Sequence, residues 1–249
     1  MKLIIVPDVH GRSFWQKAAS EFPDEEFIFL GDYLDPYPKE GITSDDAVSG
    51  LEEILAFRNQ HPGKVTLLLG NHDLHYLHDG FPGSRFDRVN AVRYAALFRQ
   101  NIDAFQMAYE KTVSDRRYFF THAGLCGQWL KRFAPDLTEE NLSADFFNQS
   151  YPKPSFIDAL SDVSHYRWGP AESGSMIWAD LAEHGLVDNQ LYSIVQVFGH
   201  TMIPMPFNFD DRIYCLDCQR CFYLDLENGG ICDLETDALI PAIGPDCDE

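Results

Sequence analysis

An α/β fold with a parallel sheet layer follows from three features of the sequence. Short apolar runs recur and stop at clusters of Gly, Asp, Asn or His. Segments of helical character lie between the first of these runs. The chain of 249 residues, 45% apolar and 14% aromatic, is long and apolar enough to bury a sizeable core. The length fits one large domain spanning 1–249.

In chain order, residues 3–6 run into Pro7-Asp8-Val9-His10-Gly11, residues 27–30 into Gly31-Asp32-Tyr33-Leu34-Asp35, and residues 65–69 into Gly70-Asn71-His72-Asp73. Each reads as a buried strand followed by a polar loop. Helices are expected at 12–21 and 44–60, the second opening with Thr43-Ser44-Asp45-Asp46, where a hydroxyl or carboxylate can cap exposed amides. Residues 86–110 place Val89, Val92, Ala96, Phe98, Ile102 and Phe105 at near-helical spacing and predict one or two helices. The strand-then-loop form returns where 118–120 runs into Thr121-His122-Ala123-Gly124 and 194–198 into Gly199-His200-Thr201. The stretch 134–175, rich in Pro, Ser, Asp and aromatics, predicts short helices and loops over one face and is a candidate cap or insertion. The final strands are expected at 212–216, 221–226 and 230–234, with Asn228-Gly229-Gly230 as a turn.

Lys and Arg number 19 against 39 Asp and Glu, a net charge of −20. Too few cations are present to neutralise a run of phosphates, which argues against long nucleic acid as a partner. A small phosphorylated ligand stays compatible with this charge, because bound cations reverse the local field. No apolar run is long enough for a membrane span, and the start reaches Asp8 too early for a signal peptide, so a cytoplasmic location without a membrane partner is expected. The six cysteines are widely spread and read as reduced thiols. Cys215, Cys218 and Cys221 have the spacing of part of a thiolate cluster. Residues three apart on a strand face opposite ways, however, which favours small buried side chains at a strand pair. Nothing in the sequence sets an oligomeric state.

In an open α/β sheet the loops at the carboxyl ends of strands converge on one crevice. Here that crevice would gather Asp8, His10, Asp32, Asp35, Asn71, His72, Asp73, His122 and His200. Imidazoles with carboxylates and an amide oxygen suit Mn, Fe, Zn or a similar divalent ion.

The order D-x-H, G-D-x-x-D, G-N-H-D, His, G-H is present as Asp8-Val9-His10, Gly31-Asp32-Tyr33-Leu34-Asp35, Gly70-Asn71-His72-Asp73, His122 and Gly199-His200. It resembles the calcineurin-like metallophosphoesterase superfamily over residues 8 to 201. Thr121-His122-Ala123-Gly124-Leu125 and Met176-Ile177-Trp178-Ala179-Asp180 resemble its phosphoprotein phosphatase branch, and residues 70–77 are similar to symmetrical diadenosine tetraphosphatases. One departure stands out: that branch continues its second motif with Arg-Gly, whereas this chain has Pro36-Tyr37.

The resemblance implies a four-layer α/β/β/α sandwich of the metallophosphoesterase type and two divalent metal ions, Mn foremost, with Fe or Zn as alternatives. By resemblance Asp8 and His10 hold the first ion, Asp32 bridges both, and Asn71, His122 and His200 complete the second. His72 corresponds to the general acid and Asp35 to its orienting carboxylate, which is expected to raise the His72 pKa. Arg12, directly after Gly11, is a candidate substrate-phosphate contact, and Arg85, Arg88 or Arg93 could supply the arginine missing at Pro36. The implied activity is hydrolysis of a phosphomonoester on a protein or small molecule, with a nucleotide such as diadenosine tetraphosphate as the alternative. A catalytically silent scaffold is a third reading, disfavoured because every expected ligand position is filled.

Overall fold

The computed structural model describes residues 1–186 and 190–244. Its first sheet has four parallel strands, β1 (Lys2–Val6), β2 (Glu26–Phe29), β3 (Val65–Leu68) and β4 (Phe105–Gln106). The second contains β5 (Tyr109–Val113), β6 (Arg116–Phe120), β7 (Val195–Phe198), β8 (Phe207–Phe209) and β9 (Ile213–Cys215), in the order β5-β6-β7-β9-β8, with β6, β7 and β9 parallel. An antiparallel pair, β10 (Phe222–Asp225) and β11 (Ile231–Asp233), extends the first sheet beside β1, joined by a turn in which Gly229 and Gly230 take left-handed φ.

Period-two alternation divides each strand between two cores. Leu3 and Ile5 of β1 face inward with Ile28, Tyr118, Phe120, Val195, Val197 and Tyr214, forming the layer between the sheets. Ile4, Val6, Phe27, Phe29 and Leu67 face outward against α1 (Phe14–Glu21) and α2 (Ser44–Gln60), through Trp15, Ala18, Leu51 and Ile54. Thr43 caps α2: its Oγ1 accepts the Asp46 N–H at 3.1 Å, and Asp46 accepts the Thr43 N–H at 2.9 Å. On the far side of the second sheet lie α5 (Gly127–Phe133), α6 (Ala144–Ser150) and α7 (Pro154–Leu160), with Phe147 of α6 packed on Phe119 of β6. The architecture is the α/β/β/α sandwich, and 134–175 forms short helices and loops as expected. Among the described residues no helix is long and apolar enough to cross a membrane.

Two local expectations are corrected. Residues 86–110 do contain the expected helix, α4 (Ala91–Gln100), with a 3-10 turn at Ile102–Ala104, but it is shorter than the apolar stretch. Val89 and Val92 are 90% and 85% exposed, and Phe105 begins a strand, so the apolar spacing there did not mark one buried face. The cysteines do not sit on one strand pair. Cys215 ends β9 in the second sheet, Cys221 precedes β10 in the first, and Gln219 in a left-handed conformation turns the chain between them. No cysteine joins a metal-type grouping among the described residues; Cys247 lies outside them. His184, next to Gly185, is fully buried, with its Nε2 2.9 Å from the Ala123 carbonyl.

α3 (Asn71–Leu77) starts directly at the end of β3 and is fixed there by a fully buried carboxylate. Asp73 accepts the backbone N–H groups of Gly70 at 2.8 Å, Asp32 at 2.9 Å and Tyr33 at 3.1 Å, tying the β2 and β3 loops together. Replacing it by Ala strands three buried donors at about 1–3 kcal/mol each. Asp73→Ala is therefore expected to lose about 3 kcal/mol or more, read as a lowered urea midpoint, with Asp73→Asn retaining part of the difference.

Candidate active site

The carboxyl ends of β1, β2, β3, β6 and β7 meet at one edge of the sandwich. Asp8, His10, Asp32, Asp35, Asn71, His72 and His122 are all buried there, with His200 beside them. The loops turn so sharply that His10, Asp32, Asp35 and His200 adopt left-handed φ of 45°, 55°, 57° and 63°. For non-glycine residues that conformation carries strain, which the surrounding packing must hold. Glycine is required where these loops touch. A Cβ on Gly70 would stand 2.1 Å from Asp32 Oδ1, and one on Gly199 2.2 Å from Asp8 Oδ1.

Asp32 is central. Its Oδ1 accepts the His72 backbone N–H at 2.9 Å, while its Oδ2 lies 3.5 Å from both His10 Nε2 and His122 Nε2. Each imidazole is aimed by a bond from its other nitrogen, His10 Nδ1 to the Leu34 carbonyl at 2.7 Å and His122 Nδ1 to that of Leu30 at 2.9 Å. His122 Nε2 is 2.9 Å from Asn71 Oδ1 and 3.1 Å from His200 Nδ1. Asp8 Oδ1 accepts the His200 backbone N–H at 2.9 Å, and His200 Nε2 is buried without a hydrogen-bond partner.

Burial keeps the three imidazoles uncharged: the pKa values of His10, His122 and His200 are all lowered chiefly by desolvation. It also pushes Asp8 up to about 6 and Asp32 up to about 8, against the lowering effects of His122 and the His72 amide respectively. Neutral imidazoles, two carboxylates, an amide oxygen and an orphaned ring nitrogen are donors that fit divalent cations. His10, Asp32 and His72 form one grouping of metal-type donors, and Asp32, His122 and His200 another, sharing Asp32.

His72 Nδ1 is 2.8 Å from Asp35 Oδ2, as the sequence suggested. The expected rise in its pKa is not found. Burial outweighs the Asp35 contribution, and Arg85 adds to the lowering, leaving His72 at about 4. Asp35 itself is held low despite burial, because His72, His75 and Tyr76 all surround it. His75 Nε2 lies 2.8 Å from Oδ2, and the Tyr76 hydroxyl donates to Oδ1.

Arg12 is placed beside the cluster. Its Nε and Nη2 hold Glu40 bidentately at 2.8 and 2.9 Å, and its Nη1 donates to the Asp8 carbonyl at 3.3 Å. Arg93 pairs with Asp45 at 2.5 Å, and Arg88 is exposed. Arg85 alone of the three segment arginines reaches the site, its Nη2 3.2 Å from both His10 Nε2 and His72 Nε2.

Sequence reasoning missed Asp217, buried just beyond the end of β9, whose charge raises the pKa of Asp32. Its signal was the same one used elsewhere, an apolar strand ending in Asp, here masked by the Cys-x-x-Cys pattern. Gly199→Ala is expected to displace Asp8 and weaken divalent-metal binding by about 10-fold or more while the fold persists, checked by calorimetric titration with Mn and by circular dichroism.

A family model described as calcineurin-like phosphoesterase matches residues 1–204. A protein phosphatase 2A catalytic subunit of Dictyostelium discoideum is 28% identical over 233 residues, covering 87% of this chain and 70% of that protein. Among solved structures, a cold-active protein-tyrosine phosphatase of a psychrophilic Shewanella superposes with a TM-score of 0.58 at 15% identity, covering 92% of this chain and 76% of that one. A Saccharomyces cerevisiae protein serine/threonine phosphatase gives 0.52 at 15% identity, covering 90% of this chain and 72% of that one, and these two likenesses show a shared fold. With the family model spanning most of its length and the motif residues gathered at one edge, the chain belongs to the calcineurin-like phosphoesterase family and is a metal-dependent phosphatase.

Proposed function

We propose that this enzyme hydrolyses phosphomonoesters on a protein or small molecule with the help of two divalent cations, Mn foremost. The observation that carries the reading is the position of Asp32 Oδ2, equally distant from His10 and His122 at 3.5 Å, with a His72–Asp35 pair beside it. Asp8, His10 and Asp32 would hold one cation, and Asp32, Asn71, His122 and His200 the other. Cations held there would supply an ionised water at neutral pH and positive charge against the phosphoryl oxygens.

The remaining work falls to the chain's own residues. His72 presents Nε2 to the crevice while Asp35 fixes Nδ1, so the imidazolium form can hand a proton to the departing alkoxide. Asp35 favours that form, and the negative charge of a bound phosphoester acts in the same direction, against burial and Arg85. Arg12, anchored on Glu40 and the Asp8 carbonyl, braces the first ligand loop and can turn its Nη1 edge toward a phosphoryl oxygen. The −20 charge favours a small or local anionic substrate over nucleic acid, and the thiol content suits a cytoplasmic setting.

Protein stripped with chelator and reloaded with Mn, Fe or Zn is expected to hydrolyse a phosphopeptide or p-nitrophenyl phosphate, followed as released phosphate, faster than diadenosine tetraphosphate, followed as its nucleotide products. Preference for the dinucleotide would move the substrate to nucleoside polyphosphates, and no turnover with any metal would support a silent scaffold. Asp32→Asn is expected to lose both bound metal and turnover. His72→Asn is expected to keep its metal and lose about 100-fold or more in kcat.

A further inference from the structure

Between α3 and α4 the segment 78–90 folds back over the carboxyl edge, and the structure fixes it firmly at one point. The Phe86 ring stacks on Tyr76 at 4.8 Å and meets His75 edge-on at 5.0 Å. The Asp87 N–H donates to the Tyr76 hydroxyl at 2.8 Å, and the Asp87 carboxylate accepts the Ser44 hydroxyl at 2.8 Å. The residue immediately before this anchor is Arg85, in a left-handed conformation with φ 54° that aims its side chain into the crevice. Its guanidinium lies over the Tyr37 ring, 3.7 Å from the centroid, and its Nη2 faces the Nε2 atoms of His10 and His72. Its Nε is buried and makes no hydrogen bond. Arg12, Arg93 and Arg167 each pair with a carboxylate at 2.5–2.8 Å, but among the described residues Arg85 has no such partner. A guanidinium fork held over an aromatic ring, facing neutral imidazoles and lacking an anion, is preorganised for an anion supplied from outside.

We propose that Arg85 clamps a non-bridging phosphoryl oxygen of the substrate, and that this contact makes the enzyme selective for monoesters over diesters. The inference rests on the phosphoesterase reading above. A monoester dianion carries three non-bridging oxygens and nearly two charges, whereas a diester has two such oxygens and one charge. An unpartnered arginine stabilises the former more strongly, and more so as charge shifts onto those oxygens during P–O cleavage. In that hydrolysis water adds its oxygen to phosphorus, the ester P–O bond breaks, and the proton goes to the departing alcohol. Tyr37 sets the plane of the guanidinium, and Phe86 with Asp87 sets its reach.

The test compares p-nitrophenyl phosphate with bis(p-nitrophenyl) phosphate on Mn-loaded protein, alongside calorimetric titration with inorganic phosphate. Arg85→Ala is expected to lose about 100-fold in kcat/KM for the monoester and less than about 5-fold for the diester, with metal content unchanged. Phosphate affinity is expected to fall about 10-fold or more in the same variant. Arg85→Lys should recover part of the monoester rate, and Arg93→Ala should match the unmodified protein on both esters. Equal losses on the two esters, or unchanged phosphate affinity, would overturn the assignment. If the unmodified protein cleaves neither ester, the phosphoesterase reading fails while the phosphate titration still decides the role of Arg85.

Discussion

Two sheets that share only an apolar interface could slide or splay at their edges, and the metal-type residues prevent it. His122, at the end of β6 in the second sheet, bonds through Nδ1 to the Leu30 carbonyl beyond β2 in the first. The His200 backbone N–H, beyond β7, donates to Asp8 beyond β1. The first bond is buried and the second partly buried, and out of water an unmade hydrogen bond costs its desolvation penalty. The groups that aim donor atoms at the crevice therefore also clasp the carboxyl edges of the two sheets. Glycine at 70 and 199 lets the loops come close enough for the clasp to form, and the left-handed turns at His10, Asp32, Asp35 and His200 are the strain it must hold.

Much of this edge was legible in the sequence because each piece has a local signature. An apolar run sets a buried strand, and the Gly, Asp, Asn or His that follows marks where the chain leaves the sheet. Topology does the rest, since parallel strands deliver their carboxyl ends to the same side. What could not be read locally depends on packing between distant segments. The apolar residues of 86–110 look helical in spacing, yet Val89 and Val92 face solvent because the segment is pinned through Phe86 and Asp87 instead. The depression of the His72 pKa likewise comes from burial and from Arg85, thirteen residues further along, and not from its orienting carboxylate.

Asp35 illustrates how several roles are pressed into one carboxylate. His72, His75 and Tyr76 all come from a single short helix and all converge on it, so the helix is docked by the same group that orients the imidazole. Tyr76 then passes the connection onward by accepting the Asp87 N–H. Two residues after Asp35, where the related branch has Arg-Gly and this chain has Pro36-Tyr37, the Tyr37 ring supports a guanidinium that arrives from another part of the chain.

The placement of β1 has a consequence for how the molecule is made. It is flanked by β2 on one side and by β10 on the other, with Lys2 opposite Asp225 and Ile5 opposite Phe222. During synthesis β1 thus emerges long before its second neighbour, and the β7 loop that clasps Asp8 also comes late. Such high contact order slows folding, because the entropy of closing a long loop is spent before the pairing rewards it. Until β10 leaves the ribosome, one edge of β1 has no native partner, and its free N–H and C=O groups can pair with a non-native strand.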